Sequence, residues 1–506
     1  MMNRNFIIRK EYQYSLKLVY LFSNFRSFTD SNSSKQHSKI EFESMENLAE
    51  EFTTNLDIRS TESLDKRLLF LMDKAAKKVK EVKPVIDYVH QKVADYRKQR
   101  PYDTVTVVGS VGNELYVPEI MSDGSYLIEV DVLYNREMPN AVLPIYIPPE
   151  EGYVLHTGKP SVVMPTEKPP VITVKMDFMN DENKIVTLPV GACLVEVTGN
   201  IDEVDKGQRW KFFKELWNGK TYLKSLGYTC LIPRQEDPSI LGEIEIEPLE
   251  KAKMLQLYRT CRTDMDSMLF DGKELKFRIL IDKVSALKGP WPNMLSDFQS
   301  RTRKWPETKI VESIVQDGCL LTHKTSLQVY PLQWKITFSL AEQQLTKTFS
   351  FHQKYLFILL KQVKKKYLDM GLMENGVSLV GLTSYHLKTI FLWMCEATYP
   401  QQFIQHPGIC FLVFLNKLKK CIEFYDCPHF FISTLNVMEG LKQYKRPVTK
   451  KEMEIWTHER KMLQNITLRQ IGVLMQKPEN FLTDDILDEI DENHIHLLQR
   501  TIGDEQ

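Results

Sequence analysis

No two of the 8 cysteines are spaced as CxxC; Cys193, Cys230, Cys261, Cys319, Cys395, Cys410, Cys421 and Cys427 stand scattered along the chain. That spacing argues against a disulfide framework and for reduced thiols in a cytosolic protein. Charge of one sign is missing as well. Lys plus Arg and Asp plus Glu are 66 each, so any surface for a polyanion or a membrane must be local. No apolar run approaches a membrane helix in length: CFLVFL from Cys410 is short and is soon followed by Lys417, Lys419 and Lys420. The sequence also lacks a GxxxxGKS or GxxxxGKT phosphate loop, a GxGxxG after a strand, and an HExxH helix. CIEFYDCPHF offers Cys421, Cys427 and His429 but not the second ligand pair of a structural zinc site, so these read as core thiols and a surface or capping histidine.

What is present is the balance of an ordinary globular protein. The 506 residues are 43% hydrophobic and 26% charged, enough for two or more domains with substantial cores. The basic, aromatic, acid-poor opening MMNRNFIIRKEYQYSLKLVYLFSNFRSF fits a mitochondrial transit segment or a disordered extension, and TDSNSSKQHS after it fits a linker. From Met45 to about Arg100 apolar residues recur at three- and four-residue intervals, as in a helix. YDTVTVVG, YLIEVDVLY, VLPIYIPP, PPVITVKMDF and LKFRILIDKVSAL carry strand chemistry, and RWKFFKELWNGKTYLKSLGY reads as a helix ended by Gly227. Past Pro331 the pattern turns helical through FSLAEQQL, SYHLKTIFLWMCEAT, CFLVFLNKLKKCIEFY and TKKEMEIWTHERKMLQ. Strands first and helices second make an α+β chain, with expected bounds of 1–44 for the leader, 45–330 for a strand-rich catalytic part and 331–506 for a helical part.

The candidate chemistry lies in GSVGNELYVPEIMSDGSYLIEVDVLY. Strand alternation puts Glu129 and Asp131 on one face, where two like charges are unfavourable unless a cation lies between them or water solvates both. Phosphoryl transfer on nucleotides needs such a carboxylate pair for divalent metal, and a tight turn such as Gly109-Ser110 to place the phosphates. A third carboxylate must come from a neighbouring strand. Asp282, inside the apolar FRILIDKVSAL, is the best candidate, since a charge in a buried strand needs a partner.

WKITFSLAEQQL from Trp334, TSYHLKTIFLWMCE from Thr383 and CPHFFI from Cys427 resemble, in the same order, the helical-lobe signatures of the Mab-21 family, which includes cyclic GMP-AMP synthase and the synthase-like receptors. The resemblance covers Met45 to the C-terminus. It implies a bilobed nucleotidyltransferase fold with a strand-rich catalytic lobe followed by an all-helical C-terminal lobe. It further implies an enzyme that makes a cyclic dinucleotide from ATP and GTP when nucleic acid binds, in innate immune signalling. By the same resemblance Glu129, Asp131 and Asp282 hold magnesium, with manganese as the alternative. Gly109 and Ser110 form the triphosphate turn, and Lys335, Ser339, Glu342, Lys354, Ser384 and Tyr385 line the nucleotide. Asp282 also stands as the general base, and a shift of strand register would put Arg278 in its place.

Two departures from the family pattern bear on function. The interval from Ser110 to Glu129 is longer than in the enzymes. LTKTFSFHQK, where the family's zinc cluster would fall, contains no such cluster, so no zinc site is expected and double-stranded RNA is the expected trigger. Its surface would be Lys361, Lys364, Lys365 and Lys366, joined by Lys74, Lys77, Lys78 and Lys80 and by Lys417, Lys419 and Lys420, with the acidic DDILDEIDEN from Asp484 facing away. The alternative is a catalytically silent Mab-family scaffold, which the leader would direct to mitochondria.

Overall fold

The computed structural model describes residues 61–99, 103–116, 119–120, 124–136, 171–173, 192–194, 196–198, 214–217, 220–223, 260–262, 266–270, 272–292, 295–323, 333–368, 373–374, 377–378, 382–438 and 450–487. The leader before Met45, the strand expected at VLPIYIPP and the acidic run past Leu487 lie outside the described residues.

Helix α1 (Thr61–Gln99) carries apolar side chains three and four apart. Leu64, Leu68, Leu71, Met72 and Ala75 are buried in one core together with Trp291, Phe298, Trp334 and the C-terminal helices. Val82, Val85, Val89 and Val93 are buried in a second core against the sheet residues Val105, Val107, Ile128, Val130 and Phe277. Each buried Leu or Val contributes about 1.5–3 kcal/mol, so packing of this stripe holds the helix even with Pro84 inside it. One helix thus serves both cores.

The chain continues through β1 (Asp103–Val108), a single turn α2 (Gly109–Gly112), β2 (Glu119–Ile120) and β3 (Tyr126–Arg136). Next come β4 (Val171–Thr173), β5 (Ala192–Leu194), β6 (Glu196–Thr198), β7 (Lys214–Trp217) and β8 (Lys220–Leu223). After them follow β9 (Thr260–Arg262), β10 (Asp266–Phe270) and the long β11 (Lys273–Gly289). The main sheet runs β1-β3-β11-β12-β13-β5, where β12 is Cys319–His323 and β13 is Gln333–Thr337, with β2 on β3 and β9 and β10 on β11. β3 and β11 pair in parallel and the other pairs are antiparallel.

The helix expected over RWKFFKELWNGKTYLKSLGY is instead a hairpin in its middle. Leu216 pairs with Thr221 and Trp217 with Lys220, leaving Asn218-Gly219 between the strands. Asn-Gly is the strongest two-residue hairpin signal, and it outweighs the helical spacing around it. β4, β6, β8 and β7 form this second sheet.

Between β11 and β13 lie α3 (Ser296–Ser300) and α4 (Thr308–Asp317); after β13, helices dominate. They are α5 (Ser339–Lys347), α6 (Phe351–Val363) with a π turn at Lys364–Leu368, α7 (Ser384–Ala397), α8 (Pro400–Gln405), α9 (Pro407–Phe424) and α10 (Lys450–Gln476). α5 and α6 are separate because Ser350 caps the second: its Oγ accepts from the Gln353 amide at 3.2 Å, and the Gln353 side-chain carbonyl accepts from its N–H at 2.9 Å. Beneath α7, Glu396 is buried against Arg301 at 3.4 Å and Arg303 at 3.8 Å, and the Arg301 guanidinium lies over the Trp393 ring at 4.3 Å. The chain is α+β: α1 leads, and most of the other helices follow the strands.

Candidate active site

The alternation along β3 is complete: Ile128, Val130 and Val132 are buried while Glu129 and Asp131 face away from them, Glu129 exposed and Asp131 half-buried. Both acids therefore share one face of the strand. The parallel register places Asp282 of β11 opposite Asp131 and Leu280 opposite Glu129. Arg278 lies opposite Leu127, so the aligned residue beside Asp131 is the acid. For Asp282 the structure gives the backbone position alone.

β1 delivers the turn to the same place, because Val108 pairs with Asp131. Gly109 follows with φ +64°, a left-handed conformation that costs other residues about 1–2 kcal/mol. It is also pressed against the acid. A Cβ at this position would enter the Asp131 carboxylate, lying 2.8 Å from its Cγ and 3.1 Å from its Cβ. Glycine at 109 is thus required twice, by backbone conformation and by the approach of Asp131. Among the described residues no three His, Cys, Asp or Glu side chains converge as a metal site. Glu129 and Asp131 supply two hard oxygen donors, the kind that magnesium or manganese takes, and Asp282 adds the third register position.

The helices clamp this turn from the other side. Gln343 of α5 donates its amide to the carbonyls of Val107 at 2.5 Å and Gly112 at 3.0 Å, one on each flank of Gly109-Ser110. Lys361 of α6 donates to Ser110 Oγ and to the Leu115 carbonyl, both at 3.0 Å. Lys354 pairs with Glu114 at 2.8 Å and holds that carboxyl below its usual range. Sequence patterning misses Gln343 altogether, since its partners lie 236 and 231 residues away.

The remaining candidates gather around α5 and α7. Lys335 is exposed on β13. Ser339 shares a hydrogen bond with Thr337 at 3.1 Å, and the buried Glu342 accepts from Lys388. Ser384 opens α7 in the open. Tyr385 keeps 39% of its surface exposed while its hydroxyl lies 2.6 Å from His429 Nε2. His429 is no surface residue: it is buried, and its Nδ1 accepts from the Phe431 and Ile432 amides at 3.1 Å. The neutral ring therefore carries its proton on Nε2 and donates it to Tyr385. Burial, with Lys335, Lys388 and Arg301 nearby, pushes this imidazole down to about 3. Burial, chiefly, raises the Tyr385 phenol well above its ordinary range.

The lysines expected to form one exposed surface are dispersed. Lys361 points to Ser110, and Lys364 and Lys417 are buried. Lys366 pairs with Asp485 at 3.0 Å. The start of the acidic segment does not face away as expected. Asp484 pairs with Arg67 at 2.6 Å, and the Asp484 and Leu487 carbonyls accept from Lys74 at 2.6 Å and Lys78 at 2.5 Å. Opposite charge draws this segment onto α1, which local sequence cannot show.

No helix among the described residues is long and apolar enough to cross a membrane. Residues 352–454 match the model of the Mab-21 protein HhH/H2TH-like domain, which spans α6 to the start of α10. A mab-21-like protein of Drosophila melanogaster is 26% identical over 224 residues, 40% of this chain and 57% of that one. Mab-21-like proteins of Anopheles gambiae and Aedes aegypti are 26% and 25% identical over 194 residues, covering 35% of this chain and 50% of each relative. The chain spans about half the length of the curated relatives it matches. The matched residues include α6, whose Lys354 and Lys361 reach the segment around the Gly109 turn, so the helical part of this chain carries a domain similar to the Mab-21 C-terminal domain.

Proposed function

We propose that this chain is a nucleotidyltransferase with the bilobed layout of that fold, which joins ATP and GTP into a cyclic dinucleotide after double-stranded RNA binds. The observation that carries this reading is the meeting of Gly109 with Asp131, beside Glu129 on the same strand face and with Asp282 in register. Mutually repelling acids packed against a glycine turn have a physical reason to coexist where a divalent cation is held. Glu129, Asp131 and Asp282 would hold magnesium or manganese, whose chemistry is to offset triphosphate charge and bring the reacting oxygens into line. Ser110 would turn its hydroxyl to the triphosphate, and the exposed face of Tyr385 would stack on a base. Asp282 would accept the proton of the attacking ribose hydroxyl.

A second reading, a catalytically silent scaffold, has its own support. Ser110 is engaged by Lys361, Lys354 by Glu114 and Glu342 by Lys388. The polar groups that a nucleotide would meet are therefore already paired within the chain. Calorimetric titration with ATP in the presence of magnesium separates the two. The enzyme binds ATP and loses most of that binding in Asp131→Asn, whereas the scaffold shows no magnesium-dependent binding in either protein.

A further inference from the structure

Arg67, Lys74 and Lys78 stand seven and four residues apart on α1, two turns and then one turn, which aligns them along one face. On that face lies the segment from Phe481 to Leu487. Arg67 donates to the Leu482 carbonyl at 2.6 Å and pairs with the Asp484 carboxylate at 2.6 Å. Lys74 and Lys78 donate to the carbonyls of Asp484 and Leu487. From the π turn after α6, Lys366 pairs with Asp485, and the Tyr367 hydroxyl donates to the Phe481 carbonyl at 3.0 Å. Leu482, Ile486 and Leu487 are buried beneath. The segment therefore has two parts: an apolar anchor, and a polar outer side that presents carboxylate and carbonyl oxygens to four cations. Those oxygens offer the same chemistry as a phosphate backbone.

We propose that the Phe481–Leu487 segment is a built-in competitor for polyanion, so that double-stranded RNA and this segment exclude each other on the face formed by Arg67, Lys74, Lys78 and Lys366. The inference rests on the RNA-dependent part of the proposed function, not on catalysis. RNA reaching these cations must displace Asp484 and Asp485 from them, and those two ion pairs set a threshold that only a long, multivalent duplex crosses. Short anions gain too few contacts to do so.

The test is fluorescence anisotropy with a long labelled double-stranded RNA, at several salt concentrations, on the full chain and on Asp484→Asn/Asp485→Asn. The double variant keeps the carbonyl acceptors and the apolar anchor, so it is expected to fold as the parent does, which circular dichroism checks. Binding should tighten about three- to tenfold, with a steeper loss of affinity as salt rises. Adding Arg67→Ala/Lys366→Ala should weaken RNA binding strongly in the variant and only slightly in the parent, where those two cations are paired with the Asp484 and Asp485 carboxylates. Equal affinity and equal salt dependence of parent and variant would overturn the competition. So would a gain that Arg67→Ala/Lys366→Ala leaves intact, or absence of RNA binding by both proteins at low salt. Because no turnover is measured, failure of the enzyme reading leaves this result interpretable.

Discussion

Replacing Gly109 by alanine combines two costs that the structure predicts should add. The first is conformational: at φ +64° a side chain costs about 1–2 kcal/mol. The second is steric, because the new Cβ falls inside the Asp131 carboxylate. Relieving that overlap forces Asp131 off its rotamer or shifts the strands apart, for about 1–3 kcal/mol. The total loss of stability is about 2–5 kcal/mol. Gly124 provides the internal control. It has φ +77°, but a Cβ added there would meet nothing within 4 Å, so Gly124→Ala should lose only the conformational part. Urea unfolding followed by circular dichroism measures both. In an Asp131→Ala background the cost of Gly109→Ala should fall toward that of Gly124→Ala, a coupling a double-mutant cycle reads directly. Manganese binding, followed by electron paramagnetic resonance, should weaken in Gly109→Ala and stay unchanged in Gly124→Ala. Equal costs for the two glycines, with no coupling to Asp131, would refute the claim that the turn and the acid form one unit.

Other perturbations reach neighbouring parts of the same framework. Gln343→Ala removes both hydrogen bonds to the Val107 and Gly112 carbonyls and should cost about 1–3 kcal/mol in urea unfolding. Glu396→Ala leaves buried Arg303 without its carboxylate and Arg301 with only the more distant, exposed Asp297 at 3.9 Å, and should cost about 3–5 kcal/mol, seen as a large fall in melting temperature. His429 provides a pH signature. Its imidazole ordinarily titrates at 6.5 but is held down to about 3 in the fold. As pH drops below the upper value the unfolded chain takes up a proton that the folded chain refuses, so stability is fully present above that value and is lost as pH falls toward the lower one. The slope from this group is about 1.4 kcal/mol per pH unit. In His429→Gln the dependence of unfolding free energy on pH should be flatter by that amount across mildly acidic solution; an unchanged slope would show that the ring already titrates normally.

Much of this architecture is legible locally because side-chain periodicity reports burial. The alternation of Ile128, Glu129, Val130, Asp131 and Val132 predicts a strand with two acids on one face, and the three-and-four spacing of α1 predicts its buried stripe. The Asn-Gly dipeptide in this stretch is also a local hairpin signal, and the pairing of Trp217 with Lys220 agrees with it against the helical spacing on either side. What local pattern does not carry is partnership across the fold. Gln343 and Lys361 acquire their roles from residues more than two hundred positions away, and a glutamine on a polar helix face carries no mark of its acceptors. Lysine runs mislead for the same reason: Lys361, Lys364 and Lys366 follow one another on the chain yet meet Ser110, the core and Asp485 respectively. The side on which the acidic segment lies is equally invisible locally, because its attraction to α1 is set by tertiary proximity.

Metal-dependent nucleotidyl transfer by Glu129, Asp131 and Asp282 is tested most directly by turnover. The purified chain is incubated with labelled ATP and GTP, magnesium and long double-stranded RNA, beside Asp131→Asn. A labelled cyclic dinucleotide should form that requires magnesium and both nucleotides and disappears in Asp131→Asn. Product formed equally by Asp131→Asn, or no product from a chain that binds RNA but takes up no ATP with magnesium, would contradict that role.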